Sequence, residues 1–339
     1  MNKGLLHIML CVSVLLVGCS KFGHLSDDGV PAIAFYMSMD QTKALISSDN
    51  LNTAGSKIVV YDVHTSEKGL DQYLNAQYLE YREGLWNFTK TSGGDVIRIP
   101  WTKKGTHDFL AYNVHDASAD KSIPVDVLYN DYSTAKQQSL RVPDSGDWTL
   151  NLTNQFDFIY GSATRNVETD GYAALPLNFK HLFAAVAVEV RNASTQQLKL
   201  SGLSFSNIKD KGNAVVNYGG NVQYSLSASG TTGLFKAVNQ EVTISAGGST
   251  ALYGATGQAF LIWPHPASDL ANAAITVSYK LGSDKNTTTK TIDLTENHTV
   301  KTWLAGNKYK YLIAVTDDNI SLDVMRVVEW INDDVILEE

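Results

Sequence analysis

The sequence predicts an all-β protein built as two β-sandwich domains in tandem. Three observations carry that expectation. Tyrosine, threonine, valine and asparagine are frequent and charged residues make up only 18% of the chain, the balance of an extracellular β protein. Apolar residues recur mostly at period two, in runs of strand length. Clusters of glycine, asparagine, aspartate and serine separate these runs at intervals typical of sandwiches.

The chain opens with Met1, Asn2 and Lys3, continues with an apolar run at 5–17, and reaches Gly18, Cys19 and Ser20, the layout of a secretory signal. That run is too short to span a bilayer, which takes about 20 apolar residues. Leu16, Val17, Gly18 and Cys19 resemble a bacterial lipobox, which makes 1–18 a signal peptide and Cys19 the acylated mature N-terminus. Acyl chains contribute about 0.8 kcal/mol per buried methylene, so several of them anchor a protein at a membrane surface without crossing it. The other cysteine, Cys11, lies within the signal, so no disulfide, cysteine-bound zinc or cysteine nucleophile is expected in the mature protein.

Residues 19–30 carry Gly23, Ser26, Asp27, Asp28 and Gly29 without apolar periodicity and read as a tether. At 33–39, Ile33, Phe35, Met37 and Met39 alternate with Ala34, Tyr36 and Ser38. The denser run 58–63 reads as a strand buried on both faces, and 85–88, 96–101 and 108–114 are further strand candidates. The spacing of Leu70, Tyr73, Leu74, Tyr78, Leu79 and Tyr81 fits either a short helix or two strands. Residues 116–143 are polar and loop-like, with a brief strand suggested around Tyr129, and the Gly/Asn/Asp-rich link 164–171 marks the internal boundary. The domains are therefore expected at 31–171 and 172–339. In the second, 182–190 is a long apolar segment, followed by strand candidates at 198–205, 215–216, 222–226, 241–244, 260–263, 274–279, 289–294 and 308–315. In 320–330, Ile320, Leu322, Val324, Val328 and Trp330 form one apolar stripe interrupted by Arg326, and 335–337 reads as another short strand.

The formal net charge of -8, without a basic run longer than Lys103 and Lys104, argues against nucleic-acid binding. No nucleophile elbow, His-Glu-x-x-His helix, phosphate loop or dinucleotide fingerprint occurs, so no enzyme activity and no cofactor are expected. His181 borders the apolar segment and reads as a packed, hydrogen-bonded structural residue, whereas His107 and His115 read as surface residues at strand ends. Asp317 with Asp318 and Asp333 with Asp334 lack the oxygen-rich spacing of a calcium loop and read as turn acids, so no metal site is expected. The six tryptophans, Trp86, Trp101, Trp148, Trp263, Trp303 and Trp330, are either core residues or an exposed platform for sugar stacking.

Several segments in order resemble the fimbrillin family, the type V pilus subunits of Bacteroidales and their relatives. These are Ile33, Ala34 and Phe35 with Thr42, Lys43 and Ala44; the run 60–63; Asp157 to Gly161; Pro176 to Val190; and Trp303 to Tyr311. The likeness extends over 33–330, nearly the whole mature chain. It implies export as a lipoprotein, two β-sandwich domains of transthyretin-like topology, and assembly in which an N-terminal strand is removed and a neighbour's strand fills the vacated groove. Strand addition of this kind is physically reasonable, because an open sheet edge presents unpaired N–H and C=O groups to an incoming chain.

On this chain the resemblance makes 33–39 the removable strand and Lys43, followed by Ala44, the cleavage position. No arginine precedes Arg82, so either a lysine-directed protease cuts there or the protein keeps its first strand and its lipid, as an anchor or cap would. The stretch 320–337 is either the donor strand, through Ile320, Leu322, Val324, Val328 and Trp330, or the final strand of its own domain. The expected role is a stalk, tip or anchor component of a surface fimbrium at the outer membrane. Its partners would be other pilus subunits, the membrane through Cys19 and a host glycan or protein receptor. The rival expectation is a monomeric glycan-binding surface lipoprotein.

Overall fold

The computed structural model describes residues 29–39, 51–116, 121–122, 128–131, 137–141, 156–228, 233–238, 241–253, 259–294 and 302–328. The first half carries β1 (Phe35–Met39), β2 (Lys57–Ser66), β3 (Gly69–Arg82), β4 (Leu85–Thr89), β5 (Thr106–Asp116) and β6 (Lys121–Ser122). Next come β7 (Leu128–Asp131), β8 (Gln137–Arg141), β9 (Ile159–Asn166), the helical turn α1 (Val167–Asp170), β10 (Leu175–His181) and β11 (Ala184–Asn192). The chain continues through β12 (Leu198–Ile208), β13 (Lys211–Asn217), β14 (Val222–Ser227), β15 (Gly233–Val238), β16 (Val242–Ile244) and β17 (Ser249–Tyr253). It ends with β18 (Phe260–Ile262), α2 (Ala267–Leu270), β19 (Ala274–Leu281), β20 (Thr288–Asp293), β21 (Lys308–Val315) and β22 (Ile320–Val328).

The protein is mostly β, in several sheets, as the composition predicts. The largest runs β1-β10-β9-β5-β2-β3-β4 with β6 beside β5; a second runs β17-β11-β21-β22 with β18 on β11. A third runs β15-β12-β19-β20 with β16 on β12, and a fourth runs β14-β13-β8-β7. Pairing is antiparallel except for β1 with β10 and β11 with β21.

Three apolar cores explain which segments are dense and which alternate. One lies on the face of the large sheet that carries Phe35, Val60, Phe109, Leu177 and Phe179. On the opposite face, Val59, Tyr61, Leu110 and Tyr112 pack with Ala214, Val216 and Tyr218 of β13 and the turn after it. The third core lies between the second and third sheets. The run 58–63 is buried on both faces, as its density predicts, because β2 sits in the middle of a sheet covered twice. The same logic accounts for 182–190: Ala184, Val186, Val188 and Val190 enter the third core, while Ala185 and Ala187 enter the second with Leu182 and Phe183.

Several local expectations change in three dimensions. The segment 69–82 is a single strand, neither a helix nor two strands. Register shifts against Val60, Asp62 and Val63, with Ala76 at φ 49°, give it bulges that destroy both periods. Residues 96–101 make isolated bridges, Thr89 to Val96 and Ala32 to Pro100, rather than a strand. Strands β8, β15 and β17 arise in segments without a clear sequence signal.

The link at 164–171 is a turn within a sheet. Asn166 caps α1 by accepting from the Glu168 and Thr169 N–H groups, and Gly171, at φ 69°, turns the chain back so that β10 pairs with β9. The hydrogen-bonded ladders consequently run across the expected break between 171 and 172: β10 belongs to the large sheet, and β8 pairs with β13.

His265 is fully buried; its Nδ1–H donates to the Trp263 carbonyl (2.6 Å), while its Nε2 accepts from the Lys209 N–H (2.9 Å). Burial lowers its pKa, and protonation would set one N–H against another. The unfolded chain therefore takes up this proton first, and stability falls as pH drops below about 6.5, by up to about 1.4 kcal/mol per pH unit. Urea unfolding between about pH 7 and about pH 5 is expected to show this contribution as the difference in slope between the wild type and His265→Gln, since the raised Asp62 carboxyl acts in the opposite sense in both.

Candidate functional site

The first and last described strands, β1 and β22, both lie at sheet edges. Strand β1 lies at one end of the large sheet and has a single full ladder, parallel to β10, from Phe35 opposite Leu175 to Met39 opposite Phe179. Leu175 N–H donates to Ala34 O (2.9 Å), and the Ser38 hydroxyl bonds to Asn178 Oδ1. Period-two alternation sends Ile33 and Phe35 into the core at 4% and 3% exposure, with Met37 and Met39 half-buried and Tyr36 turned to solvent. Phe35 meets Phe109 and Phe88 edge-on, at ring separations of 5.1 and 5.9 Å.

Just before β1, a second rail takes over. Ile33 N–H donates to Ile99 O (2.8 Å) and Trp101 N–H to Pro31 O (3.1 Å), while Ile97 N–H reaches back to Phe88 O (2.9 Å) on β4. The large sheet thus curls until residues 96–101, continuing from β4, meet the leader of β1. Were 30–39 withdrawn, the row Leu175, Leu177 and Phe179, with Phe88 and Phe109, would lose its cover, and the β10 edge would lose its partner.

Next to this seat lies a buried polar network. His107, expected at the surface, is fully buried, because its register partner is His64 and its own ring stacks on Phe109 and faces Trp101. Its Nδ1 lies 2.5 Å from Asp62 Oδ2 and its Nε2 2.7 Å from the Thr102 hydroxyl. His64 joins Asp71 Oδ1 at 3.0 Å to the Lys104 carbonyl at 2.8 Å, and Thr102 Oγ1 donates to that same carbonyl at 2.8 Å. Tyr73 donates to Pro100 O at 2.7 Å. Burial pushes the Asp62 carboxyl up to about 6, against the opposing pull of His107. Thr102 Oγ1 also lies 3.2 Å from His64 Nε2, so it links both imidazoles to the Lys104 carbonyl and anchors the loop. The signal for this network was plain alternation along β2, which puts Asp62 and His64 on the face that carries Val60.

Gly105 closes the network. Its φ is +96°, and a Cβ there would lie 2.5 Å from both His64 Nε2 and Thr65 O. Gly105→Ala is expected to cost about 2–4 kcal/mol in urea unfolding, from left-handed strain plus a backbone clash.

Of the residues singled out in the sequence, His181 is buried and pairs through Nδ1 with Asp157 (3.1 Å), as expected of a structural histidine. Trp101, Trp263 and Trp303 are buried, and Trp86 is half-buried with its indole N–H on Asn52 Oδ1. The described tryptophans are thus core or boundary residues and offer no exposed stacking platform. Cys19, Lys43, Ala44 and Trp330 lie outside the described residues.

The C-terminal strand β22 is also an edge, antiparallel to β21 alone. Ile320 is buried and Leu322 packs on the third core. The register shifts within β22, where Asp323 is an extra residue between Leu322, opposite Ile313, and Val324, opposite Leu312. Beyond the bulge it is Met325 and Val327, not Val324 and Val328, that stand opposite the buried Tyr311 and Tyr309.

Stacked sheets, with the first and last described strands at sheet edges, define a β-rich structural scaffold. The chain belongs to the fimbrillin-like family, whose model it matches over residues 42–330. Its fold is similar to that of a fimbrial protein from Bacteroides vulgatus, 15% identical with a TM-score of 0.57, covering 88% of this chain and 99% of that one. A candidate cell-adhesion protein from Bacteroides ovatus is 14% identical with a TM-score of 0.50, covering 90% and 99%. The fimbrial anchor protein Mfa2 from Porphyromonas gingivalis is 14% identical with a TM-score of 0.41, covering 88% and 97%. No curated protein matches the sequence.

Proposed function

We propose that this protein is a structural or adhesive subunit of a surface fimbrium, exported as a lipoprotein on Cys19 and joined to its neighbours by strand exchange. The observation that carries the reading is the seat of β1: a short edge strand with one full ladder whose Ile33 and Phe35 fill core positions. A strand so placed is separable in a way that β2 or β5, paired on both sides, is not. Lys43 lies four residues beyond β1, and cutting before Ala44 would free the strand from the rest of the chain. A neighbour's strand, contributed from 320–337, would then occupy the seat.

In this reading the large and fourth sheets make one sandwich and the second and third sheets the other, with the transthyretin-like topology that the family resemblance implies. The four described tryptophans are buried or half-buried, which lends no support to the rival reading of a monomeric glycan-binding lipoprotein. N-terminal sequencing of protein from intact cells and from sheared fibres tests the proposal. Acylated Cys19 in cells with Ala44 in fibres supports it, and acylated Cys19 in both sinks the processing step.

A further inference from the structure

We infer that Met37 and Met39 are a site of oxidative modification, and that converting their thioethers to sulfoxides by a peroxide loosens β1 from its seat. The inference rests on reading β1 as the detachable strand and assigns a control to its release.

Sulfur is unevenly placed along this chain. Of the five methionines, Met1 and Met9 lie in the signal segment 1–18, and the others stand on the first and last described strands: Met37 and Met39 on β1, Met325 on β22. Cys11 falls in the same signal segment, and Cys19 carries the lipid in the proposed reading. The sulfur open to oxidation in the mature chain is therefore confined to edge strands.

On β1 the thioethers occupy one half of the inward row. Ile33 and Phe35 fill the deep end at 4% and 3% exposure, and neither has an oxidisable atom. Met37 and Met39 are half-buried against the same core, within reach of a small oxidant. Their ladder partners are Leu177 and Phe179, both fully buried, whose side chains have no hydrogen to donate. The polar pair of this edge, Ser38 with Asn178, lies on the opposite face of the sheet.

The reaction is a two-electron oxidation. A sulfur lone pair attacks one peroxide oxygen, and the O–O bond breaks as the S–O bond forms. The displaced hydroxide takes up the proton of the transferred oxygen and leaves as water. The thioether is oxidised and the peroxide reduced. The product keeps the length of the side chain but bears an oxygen acceptor where the seat supplies no donor. Each sulfoxide must either turn to water, which lifts it off Leu177 and Phe179, or stay unpaired at a cost. Among the described residues no second ladder holds 37–39 once that packing goes.

Amide hydrogen exchange on the full mature protein tests this, before and after hydrogen peroxide, with mass spectrometry reading the state of each methionine. Opening of 30–39 is expected to rise at least about tenfold on oxidation while β2 and β5 stay unchanged. In Met37→Leu/Met39→Leu, a nearly volume-conserving change, the same treatment is expected to move the opening by less than about twofold. Met325→Leu leaves Met37 and Met39 as the only methionines of the mature chain. It is expected to keep the full rise, and methionine sulfoxide reductases are expected to reverse it, which carries the test if the double variant fails to fold. Resistance of both thioethers to peroxide, sulfoxides without a rise, an equal rise in the double variant, or a rise that persists after the sulfoxides are reduced overturns the modification site. Each of these leaves the detachable strand intact so long as 30–39 opens below the global limit. Exchange of 30–39 only through global unfolding, oxidised or not, overturns both.

Discussion

Removing residues 29–39 is expected to convert a stable monomer into a protein that unfolds at ambient temperature or associates, and a peptide of sequence 30–40 supplied in trans is expected to restore it. Ile33 and Phe35 are almost wholly buried, and Met37 and Met39 are half-buried. At about 1.5–3 kcal/mol per large apolar side chain, and less for the half-buried pair, their cover amounts to roughly 5–8 kcal/mol. A whole domain has a net stability of only about 5–15 kcal/mol. The backbone penalty adds to this, since the β10 edge loses its ladder and Ile99 O its donor. Thermal unfolding of the trimmed protein, with and without peptide, reads the effect directly. A midpoint unchanged from the intact chain would remove β1 from any role in holding the fold, and with it the case for exchange at that seat.

Cutting the chain between 171 and 172 is expected to be equally damaging to the first piece, which should give no cooperative transition when expressed alone, whereas the third core lies wholly within the second piece. The first piece would lack β10, whose Leu175, Leu177 and Phe179 line the seat of β1, and would also lack β13, the partner of β8. The core shared by the two halves would lose Leu182, Phe183, Ala185, Ala187, Leu261 and Trp263 from one side. Burial in that core of Phe183, at 0% exposure and edge-on to Trp263 at 4.8 Å, is on its own worth about 3–5 kcal/mol if truncated. Circular dichroism melts of the two fragments measure this. A sigmoidal melt from the first fragment alone would mean that the large sheet closes without β10, contrary to the register seen here.

The reading of individual segments went well where the chemistry is local. Alternation at 33–39 marked a strand with one buried face, and the dense run at 58–63 marked a strand buried on two, because side-chain direction along an extended chain is set by the backbone itself. The ordered fimbrillin-like segments pointed to the right family. Legibility failed where one extra residue changes the phase. The bulges in β3 hid a strand, and Asp323 shifts the register within β22. At Gly171 the positive φ serves the turn between β9 and β10, a conformation needed equally at a hairpin and at a domain boundary.

What this sequence determined by itself is a mostly β chain without the motifs of an enzyme, whose strand-forming segments and turns follow from steric and solvation preferences of a few neighbouring residues. What only the tertiary structure decided is which strands lie at edges and which residues meet across them: β1 against β10, 99–101 against 31–33, and His107 between Asp62 and Thr102. Those partners are 5 to 140 positions apart in the chain. No local preference encodes such pairings. They are selected by the burial and hydrogen bonding of the assembled sheets, whose free energy exists only once the distant strands have come together.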